Sequence, residues 1–239
     1  MSHFLARLGR NIVKLYQLCG EDRDAAFSPY GWRAKLCLWH KGLAFEDEPI
    51  RFLEKAKISH VSPQTIPVLD DGSASVVDSF AIARYLEEKY PDPSLFGGTA
   101  ASAQAPVLNQ WVDQTLVIGI VQLVLTDIHK CLDAENKVYF RETREKRFGR
   151  TLEEVMEGRE EKLVRFRKSL APLRQILEKS PFLSGDRPQW FDYAVFGTFM
   201  WPHIISNFQL LTEDDLVYAW RERMFDLFDG APRHAKRAF

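Results

Sequence analysis

The sequence predicts a small domain that mixes strands and helices, followed by an all-helical domain. Up to about residue 95, short strand patterns alternate with helical patterns, whereas almost every later segment has helical periodicity. A Pro-Asp-Pro segment at 91–93 and the pair Gly97-Gly98 separate the two regions. We therefore place the domains at residues 11–95 and 103–239.

The elements of the first region follow one another as strand, helix, strand, strand, strand, helix. We predict strands at 13–18, 45–52, 65–70 and 75–77, and helices at 29–41 and 79–90. Asp71-Gly72 is typical of the turn of a hairpin between the last two strands, and Pro91 ends the second helix. A βαβ unit followed by a ββα unit predicts a mixed sheet with helices packed on it.

The second region consists of helical patterns. We predict five helices, at 103–131, 137–148, 152–178, 191–208 and 214–228. The segment 139–160 is strongly charged, and its spacing is typical of a solvated helix with ion pairs between residues four apart.

Composition narrows the class of protein. The 239 residues include 32 Lys and Arg against 33 Asp and Glu, so the basic excess typical of nucleic-acid binders is missing. The sequence has no uninterrupted apolar span of about 20 residues, and its first ten residues have no signal-peptide pattern. The three cysteines have neither metal-site nor disulfide spacing. We expect a cytoplasmic protein with no metal and with neither nucleic-acid nor membrane partners.

Ser28 opens the hexapeptide Ser28-Pro29-Tyr30-Gly31-Trp32-Arg33 after a strand pattern. Ser28 stands at the expected N-cap of the first helix, and Pro29 stands at its first helical position. A hydroxyl beside free backbone N–H groups and the positive end of the helix dipole can stabilise a bound thiolate. On this hexapeptide alone, an ordinary helix cap is the better explanation of Ser28.

Two further segments can be explained either by a purely structural role or by ligand binding. Pro67 interrupts a strand pattern, and a cis Ile66-Pro67 bond would turn the N–H and C=O of Ile66 outward toward a peptide-like ligand. The alternative is a trans proline on an edge strand. Asp78-Ser79 opens the next helix, where these residues are either plain caps or an anion site with a carboxylate for a ligand ammonium.

Taken together, these three segments resemble the glutathione transferase superfamily in order and separation. The resemblance implies a thioredoxin-like N-terminal domain, an all-α C-terminal domain, glutathione as co-substrate and a homodimer. It assigns Ser28 to the cysteinyl sulfur, Ile66 and Pro67 to the cysteinyl main chain, and Asp78 and Ser79 to the γ-glutamyl end. The segments 182–188 and 191–194 resemble the start of the family's buried central helix. Gln189 replaces the usual capping residue there, which weakens the capping box.

The charged run at 139–160 also resembles bacterial glutathione-dependent β-etherases and their fungal relatives. This resemblance implies thiolate attack on an apolar, aromatic electrophile, with aryl-ether cleavage among the reactions. The alternative is a carrier of the same fold that binds phenolic or other aromatic ligands without turnover.

The remaining candidates are single residues. For the glutathione glycyl carboxylate we consider Lys55, His60 and Gln64, and we rank Gln64 first because it adjoins the Ile66-Pro67 strand. For the second-substrate pocket we expect Tyr30, Trp32, Trp111 and Thr115, with Ile118 on the same helical face. Tyr16 is a rival for thiol activation but suits packing better, and Cys19 is more simply an inert thiol.

Overall fold

The computed structural model describes residues 13–59 and 65–239. The first domain contains β1 (Val13–Leu18), α1 (Pro29–His40), β2 (Phe45–Ile50), a 3₁₀ helix (Phe52–Ile58), β3 (Val68–Asp70), β4 (Ser75–Val77) and α2 (Ser79–Lys89). The second contains α3 (Thr99–Trp111), a π-helical turn (Val112–Val117), α4 (Ile118–Lys130), α5 (Ala134–Phe148), α6 (Leu152–Met156), α7 (Arg159–Ser169), α8 (Ala171–Leu177), α9 (Trp190–Ile205), α10 (Leu216–Phe225) and α11 (Leu227–Gly230).

The four strands form one mixed sheet in the order β2-β1-β3-β4. β1 runs parallel to β2, with Val13 opposite Phe45, and antiparallel to β3, with Tyr16 opposite Val68. β3 and β4 form the predicted hairpin, in which Val68 pairs with Val77. A mixed sheet with helices packed on it, followed by a helical region, confirms the predicted fold class. The domain boundaries at 11–95 and 103–239 stay a prediction.

Close backbone contacts fix the start of α1 between the sheet and α9. A Cβ on Gly31 would lie 3.0 Å from Cβ of Gln17 in β1. A Cβ on Gly197 of α9 would lie 2.9 Å from the carbonyl oxygen of Pro29. Gly197 is therefore required for the approach of α9 to α1, and Gly31 allows a tight contact between α1 and β1. As a result, the first turn of α1 is packed closely against β1 on one side and α9 on the other.

Arg33 ties α1 to the second domain from a position with no solvent exposure. Its Nε donates to the carbonyl oxygen of Ala194 at 3.0 Å, and its Nη2 donates to Oγ1 of Thr198 at 3.0 Å. Its Nη1 forms an ion pair with Oδ1 of Asp113 at 2.7 Å. A buried guanidinium needs such a complete set of acceptors to offset its desolvation. Arg33 therefore connects α1, α9 and the π-helical turn.

Asp192, at the start of α9, is the second buried anchor. Its carboxylate accepts backbone N–H bonds from Leu183 at 2.7 Å, Ser184 at 3.0 Å and Gln189 at 3.2 Å. The indole N–H of Trp220 donates to it at 2.9 Å. The Asp192 side of the capping box is thus present although Gln189 is an unusual cap. These contacts hold the chain before α9 against the helix itself.

Several predicted boundaries are wrong. The third strand begins at Val68 rather than residue 65, because Pro67 has no N–H for the ladder. The predicted helix 152–178 is three helices: Gly158 has a φ of +66° at the first break, and α8 restarts with proline in its first turn. The strand predicted to reach residue 52 ends at Ile50, where the chain enters the unpredicted 3₁₀ helix.

The continuous helical stretch Thr99–Lys130 has the length and apolar composition of a membrane-spanning helix. Core helices of globular domains meet the same criteria. In this fold its apolar side is packed against other helices of the second domain, with Leu116, Ile120 and Leu123 fully buried. The packing makes this stretch a core helix of the C-terminal domain.

Candidate active site

A cleft of about 340 Å³ lies between the two domains at the N-terminus of α1. Its apolar wall is formed by residues of both domains, and the expected Ile118 is one of them: Leu18, Phe27, Phe52, Ile66, Val117, Ile118, Val121, Leu125, Ile128, Phe140, Phe148 and Trp201. Ser28, Tyr30, Lys55, Asp113, Arg144 and Arg147 contribute its polar groups. A largely apolar cleft with a few converging polar groups is the usual form of a small-molecule site.

Ser28 combines a cap with a side chain that reaches the cleft. Its Oγ accepts the backbone N–H of Gly31 at 3.3 Å, so Ser28 is the N-cap of α1 as predicted. The hydroxyl proton has no acceptor among the residues that the structure describes. The first turn of α1 contains no acidic residue, so no local negative charge offsets the helix dipole. Ser28 can therefore donate a hydrogen bond to an anion at this end of the cleft.

The Ile66-Pro67 peptide bond is cis, which confirms the predicted isomer. Ile66 lines the cleft together with Thr65. The β1–β3 ladder ends at the pair Tyr16–Val68, so Ile66 lies beyond the paired residues, just before the start of the inner strand β3. The carbonyl oxygen of Pro67 accepts the backbone N–H of Asp78 at 3.2 Å. This bond brings the second and third predicted segments into contact.

Asp78 caps α2 in an unusual backbone conformation. Its φ of +84° lies in the region that favours glycine, and such strain of about 1–3 kcal/mol is common at functional sites. Its Oδ1 accepts the N–H groups of Phe80 at 2.9 Å and Ala81 at 3.0 Å. These two N–H groups are consequently not available to a ligand, contrary to a simple helix-terminus anion site. The N–H of Ser79 and the second oxygen of the exposed Asp78 carboxylate remain.

Tyr30 lines the cleft beside Ser28, as the sequence predicts. Burial raises the pKa of its phenol, and the Asp113 carboxylate adds to the increase, whereas the Arg33 guanidinium opposes it. The guanidinium of Arg33 lies over the Tyr30 ring at 4.8 Å from its centroid. Tyr30 therefore contributes an uncharged aromatic side chain to the cleft wall at pH 7.

The structure does not place Trp32, Trp111 or Thr115 in this cleft, so their assignment to the pocket is corrected. The indole of Trp32 is buried and donates to the carbonyl oxygen of Ala26 at 2.9 Å. Trp111 packs edge-on against Phe191. Thr115 faces a separate depression on the other side of the helix, because residues two positions from Asp113 and Val117 point away from the cleft.

The other single-residue candidates differ in whether the structure places them in the cleft. Lys55 lines the cleft, while His60 and Gln64 lie outside the described residues. Tyr16 packs in a small cluster with Ile50, Ile58 and Val68, as expected for a packing residue. Cys19 is fully buried, and burial raises the pKa of its thiol to about 11, which makes it a poor nucleophile at neutral pH.

Sequence reasoning missed the two arginines and the carboxylate of the cleft. Phe140, Arg144 and Phe148 recur every four residues on α5, which places all three on one helix face. That periodicity was visible in the sequence, but the charged residues between them made the helix resemble a solvated one. Within 13–59 and 65–239, no group of three or more His, Cys, Asp or Glu side chains could hold a metal ion.

A thioredoxin-like sheet domain, an all-helical domain and an interdomain cleft at the start of α1 define the class of protein. Comparison with known families agrees. Residues 27–89 match the model of the glutathione S-transferase N-terminal domain, and residues 103–221 match that of the C-terminal domain. The two matches together cover about three quarters of the chain. The chain belongs to the glutathione S-transferase superfamily.

Individual relatives support the same family. The glutathione S-transferase-like protein ustS of Aspergillus flavus is 29% identical over 143 residues, which are 55% of this chain and 51% of the relative. The chain thus spans about half the length of that relative. The crystal structure of glutathione transferase GSTFuA3 from Phanerochaete chrysosporium has a TM-score of 0.74 at 26% identity, covering 92% of this chain and 93% of the other.

A further solved structure, a glutathione S-transferase of Ceriporiopsis subvermispora in complex with glutathione, has a TM-score of 0.71 at 23% identity. The match covers 93% of each chain. At this identity the likeness shows the fold alone.

Proposed function

We propose that this protein is a glutathione transferase in which Ser28 activates the glutathione thiol for attack on an apolar, aromatic electrophile. The single observation that carries the proposal is the position of the Ser28 hydroxyl. It caps α1, lines the interdomain cleft and retains a proton without an acceptor in the described part of the chain. Family membership supplies glutathione as the co-substrate.

The chemistry follows from the ionisation of the thiol. A free thiol has a pKa of about 8.5, so only a few per cent is thiolate at neutral pH. A hydrogen bond from Ser28 and the positive end of α1 both favour the anion and lower that pKa. The thiolate sulfur then forms a bond to the electrophilic carbon, and the leaving group departs with the electron pair of the broken bond. The thiol proton passes to solvent or to the leaving group.

The surrounding residues suit the other parts of glutathione. Ile66 lines the cleft beyond the paired residues of β3, and its backbone suits the cysteinyl unit. The free oxygen of Asp78 and the N–H of Ser79 suit the γ-glutamyl ammonium and carboxylate. Lys55 suits the glycyl carboxylate from the opposite wall. Gln64 remains a candidate for that role from the sequence.

The residues that line the cleft support an apolar, aromatic electrophile. Phe27, Phe140, Phe148 and Trp201 surround a space large enough for a substituted aromatic ring. The resemblance of segment 139–160 to the β-etherases adds aryl ethers to the electrophiles to be tried. In that reaction a phenolate is the leaving group. A homodimer and a cytoplasmic location belong to the same proposal through family resemblance.

Turnover distinguishes a glutathione transferase from a non-catalytic carrier of aromatic ligands. We would load the protein on glutathione resin and then assay thioether formation with halonitroaromatic and α-aryl-ether ketone substrates. Thioether formation above the uncatalysed rate, abolished in large part by Ser28→Ala, is the expected result. Tight binding of phenolic ligands with no thioether formed from any substrate would contradict the proposal and would favour the non-catalytic carrier.

A further inference from the structure

The cleft contains more positive charge than the thiol chemistry uses. Besides Lys55, which the proposed function assigns to the glycyl carboxylate, two arginines of α5 line the cleft, Arg144 and Arg147. The proximity of Arg144 contributes to a lowered pKa of Lys55, of which burial is the larger cause. The only carboxylate lining this cleft among the described residues is Asp113, which is already paired with Arg33. The wall formed by α5 therefore carries uncompensated positive charge.

Arg144 is held in place by apolar contacts rather than by an anion. Its guanidinium lies 4.7 Å from the ring centroid of Phe140 and 5.1 Å from that of Phe52. One N–H donates to Oγ1 of Thr143 at 3.0 Å. Burial also lowers its pKa, although an arginine remains charged at neutral pH. A half-buried guanidinium fixed between two rings, with further N–H groups open to the cleft, is already oriented to receive an anion.

Arg147, one turn further along α5, adds a second charge. No carboxylate of the described residues pairs with it, although its side chain lies close enough to Tyr30 to affect the pKa of the phenol. Arg147 is exposed, so water solvates its charge, whereas the partly buried Arg144 has lost part of its hydration without gaining an anionic partner among the described residues. Arg144 and Arg147 stand on the same side of α5 as the aromatic residues Phe140 and Phe148.

The geometry points to a second substrate that joins an apolar, aromatic body to an anionic group, with Arg144 and Arg147 binding that anion. A carboxylate suits both guanidinium groups through charge-assisted hydrogen bonds. The aromatic body would occupy the space bounded by Phe140, Phe148 and Trp201, and would present its electrophilic carbon toward Ser28. This inference rests on the proposed transferase function and names its substrate class.

The test compares two electrophiles of similar size and shape, one anionic and one neutral. A chloronitrobenzoate carries a carboxylate para to chlorine, and the matching chloronitrobenzamide carries a neutral carboxamide there. Each enzymatic rate is divided by the uncatalysed rate with glutathione, which removes the difference in ring activation. The variants are Arg144→Met, which keeps the length that packs on Phe52 and Phe140, and Arg147→Gln, alone and combined. Arg150→Gln removes an exposed charge outside the cleft and is the matched control.

We expect the double variant to lose about ten-fold or more in kcat/KM for the benzoate, the usual effect of losing charge-assisted hydrogen bonds. The rate with the benzamide and the KM for glutathione should stay within about two-fold, and Arg150→Gln should leave all three unchanged. Equal losses with both electrophiles would overturn the inference. A raised KM for glutathione with no change in charge preference would also overturn it, because the arginines would then hold the glycyl carboxylate.

Binding measured without turnover separates this inference from the proposed function. Trp201 lines the cleft, so quenching of tryptophan fluorescence by the two nitroaromatic compounds reports their Kd. If neither compound is conjugated, the transferase proposal fails for these electrophiles. Weaker binding of the benzoate alone in the double variant would still support the anion site. Binding of the benzoate no tighter in the wild type than in the double variant would refute that site.

Discussion

Replacement of Ser28 by alanine removes one hydrogen-bond donor at the centre of the proposed mechanism. In the structure, the same oxygen accepts the N–H of Gly31 at the rather long distance of 3.3 Å. Loss of this cap therefore belongs at the lower end of the usual range, at about 0.5–1 kcal/mol of folding stability. Loss of the donor to sulfur affects the fraction of bound glutathione that is ionised.

The size of the kinetic effect follows from that fraction. A thiol that returns to a pKa of about 8.5 retains roughly 3% thiolate at pH 7, so ionisation alone limits the loss to about thirty-fold. We expect kcat/KM to fall by about ten- to thirty-fold at pH 7 in Ser28→Ala, with a smaller change in the KM for glutathione. The difference from wild type should narrow as the pH rises above about 8.5, because the thiol then ionises without help.

The assay is the pH dependence of kcat/KM for Ser28→Ala and for Ser28→Thr, which keeps a hydroxyl and a cap. Thermal denaturation of both variants accounts for the loss of the cap. Ser28→Thr should keep most of the wild-type rate. Equal rates for wild type and Ser28→Ala across about pH 6 to 9 would show that Ser28 is only a helix cap. The Cys19–Phe27 loop would then need examination.

Four further predictions follow from other contacts. Asp78→Asn keeps the cap and tolerates the positive φ, so it should raise the glutathione KM about ten-fold with little change in kcat or Tm; a lower Tm at unchanged KM would refute a ligand role. Arg33→Met leaves the partly exposed Asp113 and the buried acceptors of Ala194 and Thr198 without their donor. It should cost about 1–3 kcal/mol in chemical denaturation, whereas a cost below about 1 kcal/mol would contradict the anchoring role. Gly197→Ala places a Cβ against the Pro29 carbonyl oxygen and should cost about 1–3 kcal/mol, and an unchanged Tm would show that α1 and α9 can separate freely. An unfolded thiol has a pKa of about 8.5, whereas burial raises the pKa of Cys19 to about 11, so the folded state binds more protons between these pH values. The contribution of Cys19 to folding stability should therefore be complete below about pH 8.5 and should fall by about 2 kcal/mol near pH 10. The variant Cys19→Ala should reduce this decline.

Local signals predicted the parts of the site that lie close together in the sequence. Ser28 is followed directly by Pro29, and Asp78 by Ser79, so capping rules located the starts of α1 and α2. Pro67 interrupts a strand pattern, which drew attention to the bend beside the cleft. These predictions depend on backbone preferences that extend over a few residues, and such preferences are visible without knowledge of the tertiary structure.

The opposite wall of the cleft could not be predicted in the same way. Trp111 and Thr115 have helical spacing, but which side of the helix meets the first domain depends on packing across the domain interface. The anchoring role of Arg33 is invisible in the sequence, because its acceptors on Ala194 and Thr198 lie more than 160 positions away. The same limitation concealed Arg144, whose neighbours Phe52 and Phe140 come from different domains.

The most direct test of the central claim is a titration of glutathione bound to the wild-type protein in the absence of electrophile. The thiolate has an ultraviolet absorption band, at shorter wavelength than the aromatic side chains, that the thiol lacks, so difference spectra against pH report the pKa of the bound sulfur. We expect a pKa at least one unit below the value of about 8.5 for a free thiol, and a return toward that value in Ser28→Ala. A bound thiol that titrates at about 8.5 in both proteins would contradict the central claim.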